Sequence, residues 1–129
     1  MGQDQDSPRD ALTDRVIGAA IEVHCHLGPG LLESAYEECL CYELSKCSLA
    51  IRRQVPLPVR YKEVMLDLGY RLDVVVESRL ILELKTVEKL LPIHEAQLLT
   101  YLKLSGMKTG ALLSFSVPVV RDGIKRLVL

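Results

Sequence analysis

Residues 73–85 read DVVVESRLILELK. Two aliphatic runs suited to a buried sheet flank Glu77-Ser78-Arg79, which reads as the loop of a hairpin. If that loop is three residues long, Val76 pairs with Leu80 and Asp73 falls opposite Glu83. The two carboxylates then share one face, roughly 5 Å apart at Cβ. Lys85, two residues beyond Glu83, lies on the same face, while Leu82 and Leu84 point the other way into a core. A two-residue loop would move the register by one and part the acids across the sheet. Removing an ionised side chain from water costs on the order of several kcal/mol unless something compensates it. Three such groups on interior-looking strands therefore require an explanation.

Outward from the hairpin, the periodicity outlines a small α/β domain with a mixed β-sheet flanked by helices. On the N-terminal side, residues 54–61 alternate, and Pro56 and Pro58 lie two apart, which suits an edge strand with their side unpaired. Lys62-Glu63 turns the chain into a strand over residues 64–68, Gly69 interrupts it, and residues 70–76 and 80–87 form the central hairpin. Two helices precede these strands. Ser7-Pro8-Arg9-Asp10 reads as a helix start with Ser7 as cap. Leu12, Val16, Ala20, Val23 and Leu27 then recur at helical spacing until Gly28-Pro29-Gly30. The second helix spans residues 31–46, with Leu32, Ala35, Tyr36, Cys39, Leu40 and Leu44 as its apolar stripe. Downstream, Pro92 opens a helix over residues 93–105 that Gly106 ends. Residues 109–117 read as a strand, Asp122-Gly123 as a turn and residues 124–129 as a last strand. Residues 1–10 are expected to be a flexible tail and residues 11–129 a single domain.

The 129 residues are 49% hydrophobic and 26% charged, enough for one globular core without staples. No apolar run approaches the roughly 20 residues that span a bilayer. The start MGQDQDSPRD has the character of neither a signal nor a transit peptide, so a cytoplasmic protein is expected. The four cysteines are expected to be reduced and mostly buried. His24-Cys25-His26 lacks a second ligand pair at zinc spacing and is not read as a zinc site. The net charge of −1 conceals an asymmetry. Residues 1–45 carry nine acids and two bases, and the remainder carries eight acids and fourteen bases. A polyanion could meet a basic face formed by the C-terminal two-thirds, or the two parts could simply attract each other within one fold.

Adjacent carboxylates repel, and a hard divalent cation, Mg²⁺ or Mn²⁺, is one natural compensation. Asp73, Glu83 and the Leu84 carbonyl would hold it beside a phosphate oxygen, with Lys85 orienting a nucleophile or stabilising the transition state. An Asp–Lys–Glu salt-bridge cluster at the end of a sheet explains the same spacing. The spacing alone does not choose between them.

Asp73 followed by Glu83-Leu84-Lys85 resembles the D…(D/E)xK signature of the PD-(D/E)XK nuclease superfamily. Gly30-Leu31-Leu32-Glu33-Ser34-Ala35-Tyr36, the segment His94 to Leu102 and Asp122-Gly123-Ile124-Lys125-Arg126 resemble elements of its small GxxExxY branch. This resemblance implies a restriction-endonuclease-like core and metal ligation by Asp73 and Glu83, with Lys85 as the catalytic lysine. It further implies that Glu33 is brought toward the metal from an early helix, and that Gln97 and Tyr101 stand beside the site. Each has a plainer reading: an acid favoured at a helix N-terminus for Glu33, a polar pair at a helix–sheet seam for Gln97 and Tyr101. Leu72 replaces the superfamily's proline, and Ser114-Phe115 stands where the family often shows Asn-Phe. His24 and His94 are expected to pack or cap.

Two classes of function follow. One is a metal-dependent nuclease acting on nucleic acid, with DNA the first expectation. The other is a nuclease-fold nucleic-acid-binding or accessory module without free-standing catalysis, motivated by small size, near-zero net charge and few aromatic stacking platforms. A homodimer would extend the contacts of so small a nuclease, but no residue specifies one.

Overall fold

The computed structural model describes residues 10–129 and the backbone of Gly2 and Gln3. Among the described residues, eight strands and three α-helices, with one short 3-10 turn (Val120–Gly123), follow the chain as β1 (Gly2–Gln3), α1 (Ala11–Leu27), α2 (Glu33–Lys46), β2 (Ile51–Pro56), β3 (Val59–Tyr61), β4 (Val64–Leu66), β5 (Arg71–Val76), β6 (Leu80–Lys85), α3 (Pro92–Ser105), β7 (Thr109–Ser114) and β8 (Ile124–Val128). The main sheet has the order β1-β8-β7-β6-β5-β2, and β3 and β4 form a separate hairpin. Among the described residues only β6 and β7 pair in parallel, with α3 as their crossover. The remaining neighbours are antiparallel. This is the expected mixed sheet between helices.

Two apolar clusters cover the two faces of the sheet. On one face, α1 and α2 press Val16, Ala20, Tyr36, Leu40 and Leu44 against Val74, Val76, Leu82, Leu84 and Leu113. On the other, Leu98, Tyr101 and Leu102 of α3 cover Val75, Ile81, Leu112 and Leu127. The alternation of β6 is therefore as expected, with Leu82 and Leu84 on the α1/α2 side.

Several boundaries differ from expectation for identifiable reasons. Helix α1 is capped by Asp10, whose carboxylate accepts the Thr13 N–H at 2.7 Å; Ser7, the expected cap, lies outside the described residues. The expected flexible tail falls largely on residues outside the described ones, although Gly2 and Gln3 pair with β8. Helix α2 begins at Glu33, and Leu32, assigned to its buried stripe, is instead its exposed N-cap. The tight run Gly28-Pro29-Gly30, with Gly30 at φ 103°, holds the chain off the helical path until that point. Strand β2 starts at Ile51 and stops at Pro56; Pro56 and Pro58 have no N–H to donate, and only the Leu57 N–H between them still bonds across, to the Tyr70 carbonyl. The alternating segment 54–61 is thus two strands in different sheets, although β2 is the edge strand expected. Of the four free cysteines, Cys41 alone is buried, Cys39 is half-buried, and Cys25 and Cys47 are exposed. Among the described residues no helix is long and apolar enough to cross a membrane.

Candidate active site

Strands β5 and β6 pair in the expected register, Val76 with Leu80, Val75 with Ile81 and Val74 with Leu82, and then part. One position further, side chains replace the ladder. The Asp73 N–H donates to Glu83 Oε1 at 3.1 Å, and the Leu84 N–H donates to Asp73 Oδ2 at 2.9 Å. Each carboxylate thus satisfies a backbone donor of the opposite strand, which is how two acids hold open a sheet that aliphatic sequence would otherwise zip closed.

The other edge of β5 opens at the same place. Strand β2 pairs with β5 from Ile51 to Pro56, but the pair Gln54–Asp73 is missing from an otherwise continuous register. Gln54 has a left-handed backbone, φ 51°, a conformation that costs a non-glycine residue roughly 1–2 kcal/mol. Both strands change faces there. Ile51 packs against the α1/α2 cluster, whereas Val55, four residues on and of equal parity, packs against the α3 cluster. Asp73 therefore sits where the sheet swaps sides and is bound by neither neighbour's backbone ladder.

Electrostatics follow from this placement. Glu83 is only 5% exposed, and burial, with the Asp73 charge second, pushes its carboxyl up to about 8. Burial likewise raises Asp73, partly opposed by the Leu84 N–H. Glu33, first residue of α2, is raised by burial and then by the Asp73 charge, while Lys85 pulls it down. Three carboxyls that interact electrostatically are all harder to ionise than usual, and a cation among them would reverse that.

Lys85 does not neutralise them directly. Its ammonium donates to Gln97 Oε1 at 2.8 Å, and Gln97 Nε2 donates to the Tyr101 hydroxyl at 3.3 Å. Among the described residues no ion pair within 4.0 Å joins Lys85 to an acid, so the salt-bridge cluster that the spacing also allowed does not form. Gln97 and Tyr101 are one turn apart on α3 and relay the lysine's position to the helix. Burial raises the Tyr101 phenol, keeping it protonated. Lys85, Gln97 and Tyr101 line an open cleft of about 640 Å³. Leu84 places its side chain in the core and only its backbone at the site.

The segment Gly30 to Tyr36 acquires a physical meaning. The Tyr36 hydroxyl donates to the Gly28 carbonyl at 2.5 Å and accepts the Leu31 N–H at 3.1 Å, and its ring stacks on Phe115 at 4.5 Å. Buried Tyr36 thereby clamps the loop that delivers Glu33. Ser114 holds the segment after β6, accepting the Val87 N–H and donating to the Val87 carbonyl. Gly123 passes so close to this point that a Cβ would meet the Ser114 carbonyl oxygen at 2.3 Å. His24 bonds the Val117 carbonyl and His94 accepts the Leu91 N–H at the start of α3, both structural roles as expected.

Three residues behind the site escaped the sequence reading. Glu37, buried at 6% exposure, accepts from Arg53 Nε at 3.0 Å and from Gln54 Nε2 at 2.9 Å. Its charge and a Gln54 hydrogen bond both bear on Asp73. The available signal was Glu37 standing one helical turn from Glu33, together with a polar Arg53-Gln54 pair in a strand.

A family model described as the PD-(D/E)XK nuclease superfamily matches residues 10–127. The chain belongs to that superfamily, and its mixed sheet, parted hairpin and Glu83-Leu84-Lys85 run agree with a nuclease-like domain of this class. No curated protein and no solved structure matches it.

Proposed function

We propose that the protein is a divalent-metal-dependent phosphodiesterase acting on nucleic acid, DNA first, of the GxxExxY kind. The observation that carries this reading is the parting of β5 and β6 around two exchanged carboxylates, with Lys85 directed into an open cleft instead of onto the acids.

The donor set suits Mg²⁺ or Mn²⁺. It consists of adjacent, desolvated, purely oxygen ligands, and hard cations prefer these. Among the described residues no three His, Cys, Asp or Glu side chains form a ready-made cluster, so Asp73 and Glu83 would be the principal protein ligands, assisted by the Leu84 carbonyl and by Glu33. Mg²⁺ usually retains waters and substrate oxygens among its ligands, which fits a set of this size. When bound, such an ion supplies charge neutralisation at the phosphate and a more acidic water.

The chain's own residues would do the rest. Lys85, held by Gln97, presents a positive charge to the phosphate as negative charge accumulates on its oxygens. Tyr101 orients the Gln97 amide so that its oxygen, not its nitrogen, faces the lysine. Glu33, at the site's margin, would assist the cation directly or by holding one of its waters. Glu37, tied to Arg53 and Gln54, keeps the backbone break at Asp73 in place.

The test is cleavage of labelled oligonucleotides in Mg²⁺ or Mn²⁺. Lys85→Ala and Asp73→Ala should each lower the rate at least about 10²-fold, with circular dichroism unchanged. Calorimetric titration should detect Mn²⁺ binding that Glu83→Ala removes. Cleavage persisting in both activity variants would identify a contaminant and end the catalytic reading. Metal-independent binding without hydrolysis would instead support the accessory-module function.

A further inference from the structure

The cleft beside Lys85 is lined on one side by Ile93, Gln97 and Leu104 of α3 and on the other by Leu68 and Tyr70. Ile93 is 67% exposed, Leu68 60% and Tyr70 47%. Helix α3 has already committed Leu98 and Leu102 to the sheet. Farther round the helix, Ile93 stands largely exposed beside the cleft, while Leu104 packs only partly against that cluster. Exposed apolar walls around an open cavity with few polar groups mark a ligand site. At about 640 Å³ the cleft has the size of small-molecule pockets, which run from roughly 300 to 1,000 Å³.

Its continuity with the catalytic groups restricts the occupant. Lys85 and Gln97 belong to both, so whatever fills the cleft is attached to, or lies against, the group that Lys85 contacts. The start of α3 adds partial positive charge at the same rim, beside the Lys85 ammonium that lines the cleft. An apolar slot beside cationic groups fits a flat base next to its phosphate better than it fits an apolar peptide. Tyr70 is well placed to stack on such a base. Gly69, at φ 81°, turns the chain just before it, and the Tyr70 carbonyl accepts the Leu57 N–H at 2.8 Å. Its ring stands 6.4 Å from that of Tyr101 at an interplanar angle of 59°, so the two do not stack on each other.

We propose that this cleft is a nucleobase pocket, and therefore that the protein acts on single-stranded nucleic acid or on an unpaired nucleotide next to the scissile phosphate. The proposal rests on the phosphodiesterase reading for its orientation. In an intact duplex the base faces are covered by their neighbours and cannot reach Tyr70. In a single strand they can, and such stacking depends little on sequence.

The experiment measures binding without turnover, in Ca²⁺, of oligonucleotides carrying 2-aminopurine. Wild type should prefer single strand over blunt duplex and should quench the 2-aminopurine. Tyr70→Ala should weaken single-strand binding about tenfold, the effect of losing one stacked base, and abolish the quenching while leaving duplex binding unchanged. Tyr70→Phe should behave as wild type. Both substitutions are at an exposed position, and Ile93→Ala on the opposite wall provides a second reading. Equal losses on single strand and duplex, unaltered binding in Tyr70→Ala, or no oligonucleotide binding by wild type would overturn the pocket. Hydrolysis in Mn²⁺ is scored separately. Tyr70-dependent binding with no hydrolysis keeps the pocket and removes the catalysis; hydrolysis indifferent to Tyr70 on both substrates does the reverse.

Discussion

Strand β6 has two edges that behave differently. Against β7 it pairs over all six residues, from Leu80 with Thr109 to Lys85 with Ser114. Against β5 it pairs over three and then yields to Asp73 and Glu83. The β7 edge carries stability, being flanked by side chains that are essentially all buried. The β5 edge carries the candidate site, because an unpaired stretch of strand exposes backbone donors that only a carboxylate, water or ligand can satisfy. A single strand thus supplies both the rigid support and the open end, and the candidate site residues inherit their positions from the ladder one residue away.

Substitutions at the two edges should separate these roles. On the closed side, Leu82→Ala removes a fully buried side chain from the larger cluster and should destabilise by roughly 2–5 kcal/mol, read by urea denaturation. If it cost less than a surface change, the division between the edges would be wrong. On the open side the sign reverses with pH. Folding raises Glu83 from 4.5 to about 8, so the folded state holds a proton that the unfolded chain releases. Metal-free protein should then lose stability as pH rises from 4.5 to 8, by on the order of a few kcal/mol. Glu83→Gln should match wild type near pH 5 and exceed it at pH 8.5, with a residual slope because Asp73 and Glu33 are raised as well. A pH-independent melting temperature would contradict the burial of these acids.

At high pH, Mn²⁺ at a hundredfold excess over its dissociation constant should recover about 2.7 kcal/mol; the same Mn²⁺ concentration should recover less at low pH and nothing in Glu83→Ala. The smallest effect is expected at the loop that delivers Glu33. Tyr36→Phe keeps the ring stack on Phe115 but frees the Gly28 carbonyl and the Leu31 N–H. It should cost about 1 kcal/mol and change activity through Glu33 without altering the closed edge.

The central hairpin was legible from two aliphatic runs and a period of two, while its register rested on the loop length, and the structure adopts the three-residue loop that pairs Val76 with Leu80. Helix α3 was equally plain from Pro92 and Gly106. Less of the N-terminal half could be read, since Asp10 caps as well as Ser7 would, and Leu32 has helical spacing but no neighbour to bury it. Glu83 and Lys85 stood out as charges in an apolar strand. Glu37, Arg53 and Gln54 did not, because each is ordinary in its local segment and becomes part of the site only through contacts 16 or more residues apart in the chain.

The linear order of residues was enough to specify the mixed α/β architecture, to narrow the register around Glu77-Ser78-Arg79 to two loop lengths, and to mark Asp73 and Glu83 as charges in apolar strands. These depend on local period and loop length, which neighbouring residues carry. Whether the lysine would quench the acids or turn away from them depended on Gln97, twelve positions on, reaching back from the crossover helix. The parting of β5 from both neighbours and the cleft beside Tyr70 likewise arise where separate segments meet, so three-dimensional packing alone decided them.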